Sequence, residues 1–276
     1  MPLLSRNRII VMAGLIAASA LAYAHLIEPK RLVVRHVAVR LPNLPPAFYG
    51  YRIVHVSDLH MGSWMTRPQL HRAVKWINIL RPDLIAITGD FIDRIAGEAS
   101  EDLIEPLSQL QPRDATVAVM GNHDYYHGVN GVRRVLRATG MIDVSNRVHT
   151  VRRGEASLHL TGVDDVAQGH DCLDAVLDQL PDDGTAILLV HEPDFAHLSA
   201  PTGRFALQLS GHTHGGQVRL PIIGTPVLPS YGLHFVSGLN RAGDMQVYVN
   251  AGIGMIPPFV RFGVRPEITV LTLMHC

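Results

Sequence analysis

Five short segments of this 276-residue chain place metal-grade donors straight after apolar, strand-like runs. They read Asp58-Leu59-His60, Gly89-Asp90, Gly121-Asn122-His123-Asp124, His191 and Gly211-His212-Thr213-His214. The runs before them are 52–56, 84–88, 116–120, 186–190 and 206–210. In an open α/β sheet, ligands gather beyond the carboxyl ends of the strands. Five such ends, each with a carboxylate, an imidazole or a side-chain amide, point to one shared site. The chemistry that fits is a pair of divalent metals about 3.5–4 Å apart, which clamps the attacking and leaving oxygens of a phosphoryl displacement. Such a pair needs an anionic oxygen that bridges, and Asp90, in the middle of the motif order, is the candidate. Imidazoles suit Zn, Fe and related ions, whereas carboxylate and carbonyl oxygens suit Mn or Mg, so the mixed set fits Mn, Fe or Zn. If their loops are extended, His212 and His214 share a face, as do Asp58 and His60.

In that order, D-x-H, G-D, G-N-H-D, a lone His and G-H-x-H resemble the calcineurin-like metallophosphoesterases. The resemblance runs from about residue 52 to residue 273. Finer wording resembles a membrane-associated bacterial branch: Ile27-Glu28-Pro29, Ser57-Asp58-Leu59-His60-Met61-Gly62, His191-Glu192-Pro193, Gly211-His212-Thr213-His214-Gly215-Gly216-Gln217 and Arg265-Pro266-Glu267-Ile268. The resemblance implies an α/β fold of two β-sheets packed face to face and flanked by helices, behind an N-terminal hydrophobic helix. It implies two divalent ions, with Mn favoured. Asp58, His60 and His214 would hold one, Asn122, His191 and His212 the other, and Asp90 would bridge. His123 would face the leaving-group oxygen, and Asp93 would orient His123, a plain surface Asp being the alternative. Asp124 would fix its loop. The implied reaction is hydrolysis of a phosphodiester or diphosphate by in-line attack of metal-bound hydroxide, with no covalent enzyme intermediate. Members of this fold act on lipid-linked substrates such as UDP-2,3-diacylglucosamine. A phosphomonoesterase and a non-catalytic, membrane-tethered scaffold are the alternatives, and the filled ligand positions argue against the scaffold.

The chain has 16 His, and those outside the motifs read as structural. Among them His55 packs or faces solvent, and His127 has a place at the pocket border as its second reading. Cys172 reads as a small packing residue on a helix; Cys276 ends the sequence, and the two make no disulfide framework. With 24 basic and 24 acidic residues and no basic stripe, nucleic acid is not an expected partner.

Residues 9–27 contain no Asp, Glu, Lys or Arg, and Arg6 and Arg8 precede them. That length crosses a bilayer, which needs about 20 apolar residues. A signal peptide cut after Ala22-Tyr23-Ala24 is the alternative. A retained single-pass anchor in a bacterial inner membrane is expected, with an exported soluble form if the segment is cleaved. Lys30, Arg31, Arg35 and Arg40 after the segment favour a cytoplasmic catalytic domain. Export of related proteins favours the other side, and Ser5-Arg6-Asn7-Arg8 splits the twin-arginine pattern.

The organisation expected is an anchor or signal segment (1–30), a strand and proline-rich junction (31–50) and a metallophosphoesterase domain (51–276). Thr66, Pro68 and Gln69 open a helix with Leu70, Ala73, Val74, Ile77 and Leu80 on one face, stopped at Arg81-Pro82. A second helix covers 132–138 and ends at Gly140, and later strands cover 157–162, 245–250 and 268–273. The apolar loop 221–229 is expected to be buried against the second sheet, with a lipid-facing lip as the other reading. The segment 252–259 has the same pair of readings. Arg261 and Arg265 are candidates to grip a phosphate or diphosphate.

Overall fold

A computed structural model describes residues 6–93 and 98–276. The first five residues of the N-terminal segment, with Ser5 of the split arginine pattern, and Arg94 lie outside the described residues. Helix α1 (Arg6–Leu26) leads into strand β1 (Val33–Leu41). Strands β2 (Arg52–Val56), β3 (Leu84–Thr88), β4 (Ala115–Val119) and β5 (Ile142–Asp143) follow. Helices α2 (Arg67–Ile79), α3 (Glu98–Leu107), α4 (Asn122–His127) and α5 (Val129–Thr139) lie between them. The second half holds β6 (Arg147–Arg153), β7 (Ala156–Gly162), α6 (Leu173–Gln179), β8 (Thr185–Leu189), α7 (Ala196–Ser199), β9 (Leu207–Ser210), β10 (Gly238–Ala242), β11 (Met245–Val249) and β12 (Glu267–His275).

Two six-stranded sheets result, in the orders β1-β12-β2-β3-β4-β5 and β10-β11-β9-β8-β7-β6. In the first, β2 to β5 run parallel, β12 lies antiparallel to β2, and β1 runs parallel to β12. The last strand thus inserts between β1 and β2 and leaves β1 at the sheet edge. In the second, β7, β8, β9 and β11 run parallel between the antiparallel edges β6 and β10.

The apolar runs are continuous because each strand buries both faces. Ile53, Leu84 and Ala86 point into the layer between the sheets, while their neighbours Val54, Ile85 and Ile87 point to the helices. On the second sheet, Ile187 and Leu189 face inward, and Leu188 and Val190 join Phe195, Phe205 and Val247 on the outer face. Each fully buried aliphatic side chain contributes roughly 1.5–3 kcal/mol. Helix α2 packs Leu70, Ala73, Val74 and Ile77 on the first sheet, and Gln69 Oε1 accepts from the Thr66 backbone N–H at 2.8 Å at its start. Helix α5 ends as the spacing predicts, with Gly140 left-handed at φ 71°. Cys172 differs from expectation: it is exposed, ahead of α6 rather than packed on it.

Candidate metal centre

The carboxyl ends of β2, β3 and β4 from one sheet and of β8 and β9 from the other open onto the same space. The donors sit in the turns that leave those ends. Asp58, His60, Asp90, His212 and His214 all have left-handed backbones, with φ of 53°, 49°, 56°, 69° and 52°. Such conformations are uncommon for residues other than glycine, and they cluster at functional sites. The loops are therefore not extended, as strand alternation would require. Tight turns aim the side chains, so His212 and His214 diverge. His214 joins His60 and Asp58, whereas His212 turns to Asn122 and His191.

Hydrogen bonds between neighbouring turns fix the frame. Asp58 N–H donates to Gly89 O, His60 N–H to Asp90 O and Gly211 N–H to His191 O, at 3.0–3.1 Å. Gly89, at φ 84°, has room only for hydrogen. A Cβ there would stand 2.6 Å from Gly121 N and 2.8 Å from His191 Nδ1. Asp124 does not reach the centre. Its carboxylate accepts the backbone N–H groups of Asp90, Phe91, Ile92 and Gly121 at 2.8–3.2 Å and so holds the turn that carries Asp90.

The donors then converge. His60 Nε2 faces His214 Nε2 at 3.0 Å, and Asp58 Oδ1 lies 3.4 Å from the latter and 3.9 Å from the former. Asp90 Oδ2 stands between the two halves, 3.6 Å from His60 Nε2 and 3.1 Å from His191 Nε2. On the far side His212 Nδ1 lies 3.1 Å from Asn122 Oδ1, and the His191 and His212 rings are 5.0 Å apart. Every residue singled out as a ligand is brought to this one place.

Tautomers and charge fit a cation site. His191 Nδ1–H donates to Thr88 O at 2.6 Å, which leaves Nε2 as the ring atom aimed at Asp90 Oδ2, 3.1 Å away. His212 Nε2–H donates to Ser230 O at 2.8 Å, so its Nδ1 lone pair faces the Asn122 oxygen. Second hydrogen bonds of this kind orient metal-bound imidazoles. Burial drives His60 and His212 down to about 4 and His214 well below the ordinary imidazole value, so these rings are neutral donors at pH 7. Burial together with the nearby Asp90 charge pushes Asp58 up to about 6. Carboxylates this buried need a compensating charge. His191 partly provides it: despite burial, Asp90 beside it raises its pKa well above the usual range.

His123 is set apart from the donors. It lies in the first turn of α4, its backbone N–H donates to Asp90 Oδ1 at 2.9 Å, and its side chain keeps 23% exposure. Nδ1 pairs with Asp93 Oδ1 at 2.7 Å. Burial works against charge on the ring, yet the hydrogen bond to Asp93 raises its pKa above the usual value and lowers that of Asp93.

Matching to known families and proteins agrees with this geometry. The pattern of the calcineurin-like phosphoesterases matches residues 51–216. This chain belongs to that family. The metallophosphoesterase YkuE of Bacillus subtilis (strain 168) is 35% identical over 95% of this chain and 94% of its own length. Phosphodiesterase YaeI of Escherichia coli (strain K12) is 28% identical, over 99% and 100%. A transmembrane protein with metallophosphoesterase domain from Danio rerio is 32% identical over 95% of this chain and 62% of its own length. The calcineurin-like fold accounts for the two mixed sheets, and the family together with the donor clusters points to divalent metals.

His127 takes the second of its two expected readings and borders the site: its Nε2 lies 3.7 Å from Asp93 Oδ1. The signal was present, since residues four apart on a helix share a face and α4 carries both His123 and His127. Other contributors in this phosphoesterase escaped the sequence. Thr88 and Ser230 act through backbone carbonyls, which leave no trace in residue type. Asp194 fixes the loop that supplies Ser230. It accepts from the N–H groups of Leu233, His234 and Phe235 at 2.9–3.1 Å, and its own N–H donates to Tyr231 O at 2.9 Å. Arg261 is not available to a phosphate. It is wholly buried, and its Nη2 donates to Ala251, Gly252 and Gly254 carbonyls at 2.6–3.1 Å. It thereby braces the segment that packs against Asp58.

Proposed function

We propose that this chain is a metal-dependent phosphodiesterase that holds two divalent ions. Asp58, His60 and His214 hold one ion, Asn122, His191 and His212 the other, and Asp90 bridges them. The observation that carries the reading is Asp90 Oδ2, poised 3.6 Å from His60 Nε2 and 3.1 Å from His191 Nε2 on opposite halves of a buried cluster. Mn is the first ion to test, because the set mixes imidazole with carboxylate and amide oxygen. When bound, such ions neutralise charge on phosphoryl oxygens and lower the pKa of water. The chain's own residues do the rest. Asp93 holds the Nδ1–H of His123, which leaves Nε2 to give its proton to the leaving-group oxygen. The ring, 23% exposed, is reachable from solvent, as a group acting on substrate must be.

Two observations support a membrane-tethered enzyme acting on a lipid-linked diester or diphosphate, such as a nucleotide-diphosphate acyl sugar. An 18-residue stretch within Ile10–Lys30 has a mean hydropathy of 2.0, and only 6% of it is buried. At its end Ala24 is buried, and its carbonyl accepts from Arg261 N–H at 2.9 Å. The helix is therefore seated on the domain at the very place a signal peptidase would cut, which favours a retained anchor.

The test is turnover of bis-p-nitrophenyl phosphate by full-length protein in detergent, stripped with a chelator and refilled with Mn, Fe, Zn or Co. Mn restores turnover in the wild type, and Asp90→Asn loses both bound metal and turnover. No turnover with any of the four ions would refute the reading and favour a non-catalytic scaffold.

A further inference from the structure

The strongest feature outside the metal centre is a short hairpin with bare isoleucines at its tip. Leu220 and Gly224 exchange both backbone hydrogen bonds, at 2.8 and 2.9 Å. Between them Ile222 sits at φ 70° and is fully exposed, at 106%. Ile223 and Val227 are exposed by 72% and 77%. The expected burial against the second sheet does not occur. Scattered exposed apolar residues need no explanation. A β-branched residue in the left-handed region is an outlier, however, and here it holds an apolar side chain out into solvent.

The hairpin is tied to the end of α1 by a ladder of hydrogen bonds. Arg219 N–H donates to Phe262 O at 2.7 Å, Phe262 N–H to Gln217 O at 3.1 Å, and Arg261 N–H to Ala24 O at 2.9 Å. His25 Nδ1–H donates to Phe259 O at 2.7 Å, and Tyr23 stacks edge-on against Phe262 at 6.3 Å. Counting residues along this path puts Ile222 within about 25 Å of the helix end. Exposed Lys30, Arg31 and Arg219 flank the same region, where anionic headgroups would lie. The hairpin also begins six residues beyond His214, on the loop that leaves the metal centre.

We propose that this hairpin is a second membrane contact, with Ile222, Ile223 and Val227 entering the phospholipid leaflet beside α1 and holding the metal centre over the bilayer surface. The proposal rests on the reading of α1 as a retained anchor. It assigns the site a substrate whose phosphodiester lies at the bilayer surface.

The experiment uses full-length protein in phosphatidylethanolamine–phosphatidylglycerol vesicles, in a Cys172→Ser, Cys276→Ser background. An environment-sensitive fluorophore is placed at Ile222→Cys, at Leu15→Cys in the anchor, or at Asp244→Cys in the turn at the opposite end of the second sheet. Lipid-borne quencher dims positions 222 and 15 and spares 244. Quenching at 15 without quenching at 222 overturns the hairpin contact and leaves the anchor reading standing. Quenching at neither overturns both. In a second arm, Ile222→Asp with Ile223→Asp lowers turnover of a vesicle-embedded diester by about tenfold or more, while turnover of bis-p-nitrophenyl phosphate is unchanged. Equal loss on both substrates would also overturn the contact.

Discussion

His123 and Asp93 illustrate how two ordinary residues acquire roles through position. The ring is fixed from both ends, by its backbone N–H on Asp90 Oδ1 at 2.9 Å and by Nδ1 on Asp93 Oδ1 at 2.7 Å. The proposed ligands do not include it, so His123→Ala should keep its metal and lose about 10²–10⁴ in kcat, read by metal analysis alongside steady-state kinetics. The pH dependence follows from the direction of the shift. His123 has a raised pKa, opposed by burial and maintained by Asp93. Its proton is present below that pKa and lost as pH rises through it, so the alkaline limb of kcat reports the ring. Asp93→Asn removes the carboxylate that holds the proton, and the limb should move to lower pH than in the wild type. An unmoved limb would show that Asp93 does not act through His123.

The elements that matter most are the turns that leave the strands. Gly89→Ala puts a Cβ at φ 84° and within 2.6–2.8 Å of Gly121 and His191. The backbone alone costs about 1–2 kcal/mol, and overpacking adds about 1–3 kcal/mol. Urea denaturation should show the sum, together with weaker metal retention. Asp194 is outside the centre, yet it clamps the loop whose Ser230 carbonyl orients His212. Asp194→Ala should weaken metal binding about 10–100-fold, measured by competition with a chelating dye. The strand-end motifs and the helix opening at Thr66 were legible because their signals are local: a residue type, a glycine, a spacing. The left-handed backbone of five donors was not, since nothing in Asp or His announces positive φ. Nor were Thr88, Ser230 and Asp194, which act through partners far away in the chain. Ile222 and Ile223 read as core by composition, and only the hairpin geometry shows them outside.

At the scale of the whole molecule, a sandwich of two sheets lets strand ends from both halves of the chain meet at one edge. That meeting buries Asp58 and Asp90 close together with the imidazoles of His60, His191 and His214. Without a cation the cluster is a source of electrostatic strain, and burial with Asp90 already pushes Asp58 up to about 6. Metal binding should therefore stabilise the fold. An ion at 100 times its Kd contributes about 2.7 kcal/mol, and each kcal/mol moves Tm by about 2–4 °C in a domain of 150–250 residues. Scanning calorimetry should show a clearly lower Tm after chelation, restored by Mn. An unchanged Tm would mean that the cluster tolerates its own charge. The end of α1 and the hairpin are both hydrogen-bonded to the Arg261–Phe262 segment, whose Arg261 side chain braces the backbone beside Asp58. Anomalous diffraction from crystals grown with Mn reads the metal pair itself. Two peaks are expected about 3.5–4 Å apart, one against Asp58, His60 and His214, the other against Asn122, His191 and His212, with Asp90 between them. A cluster without peaks, or a single peak remote from Asp90, would contradict the two-metal assignment.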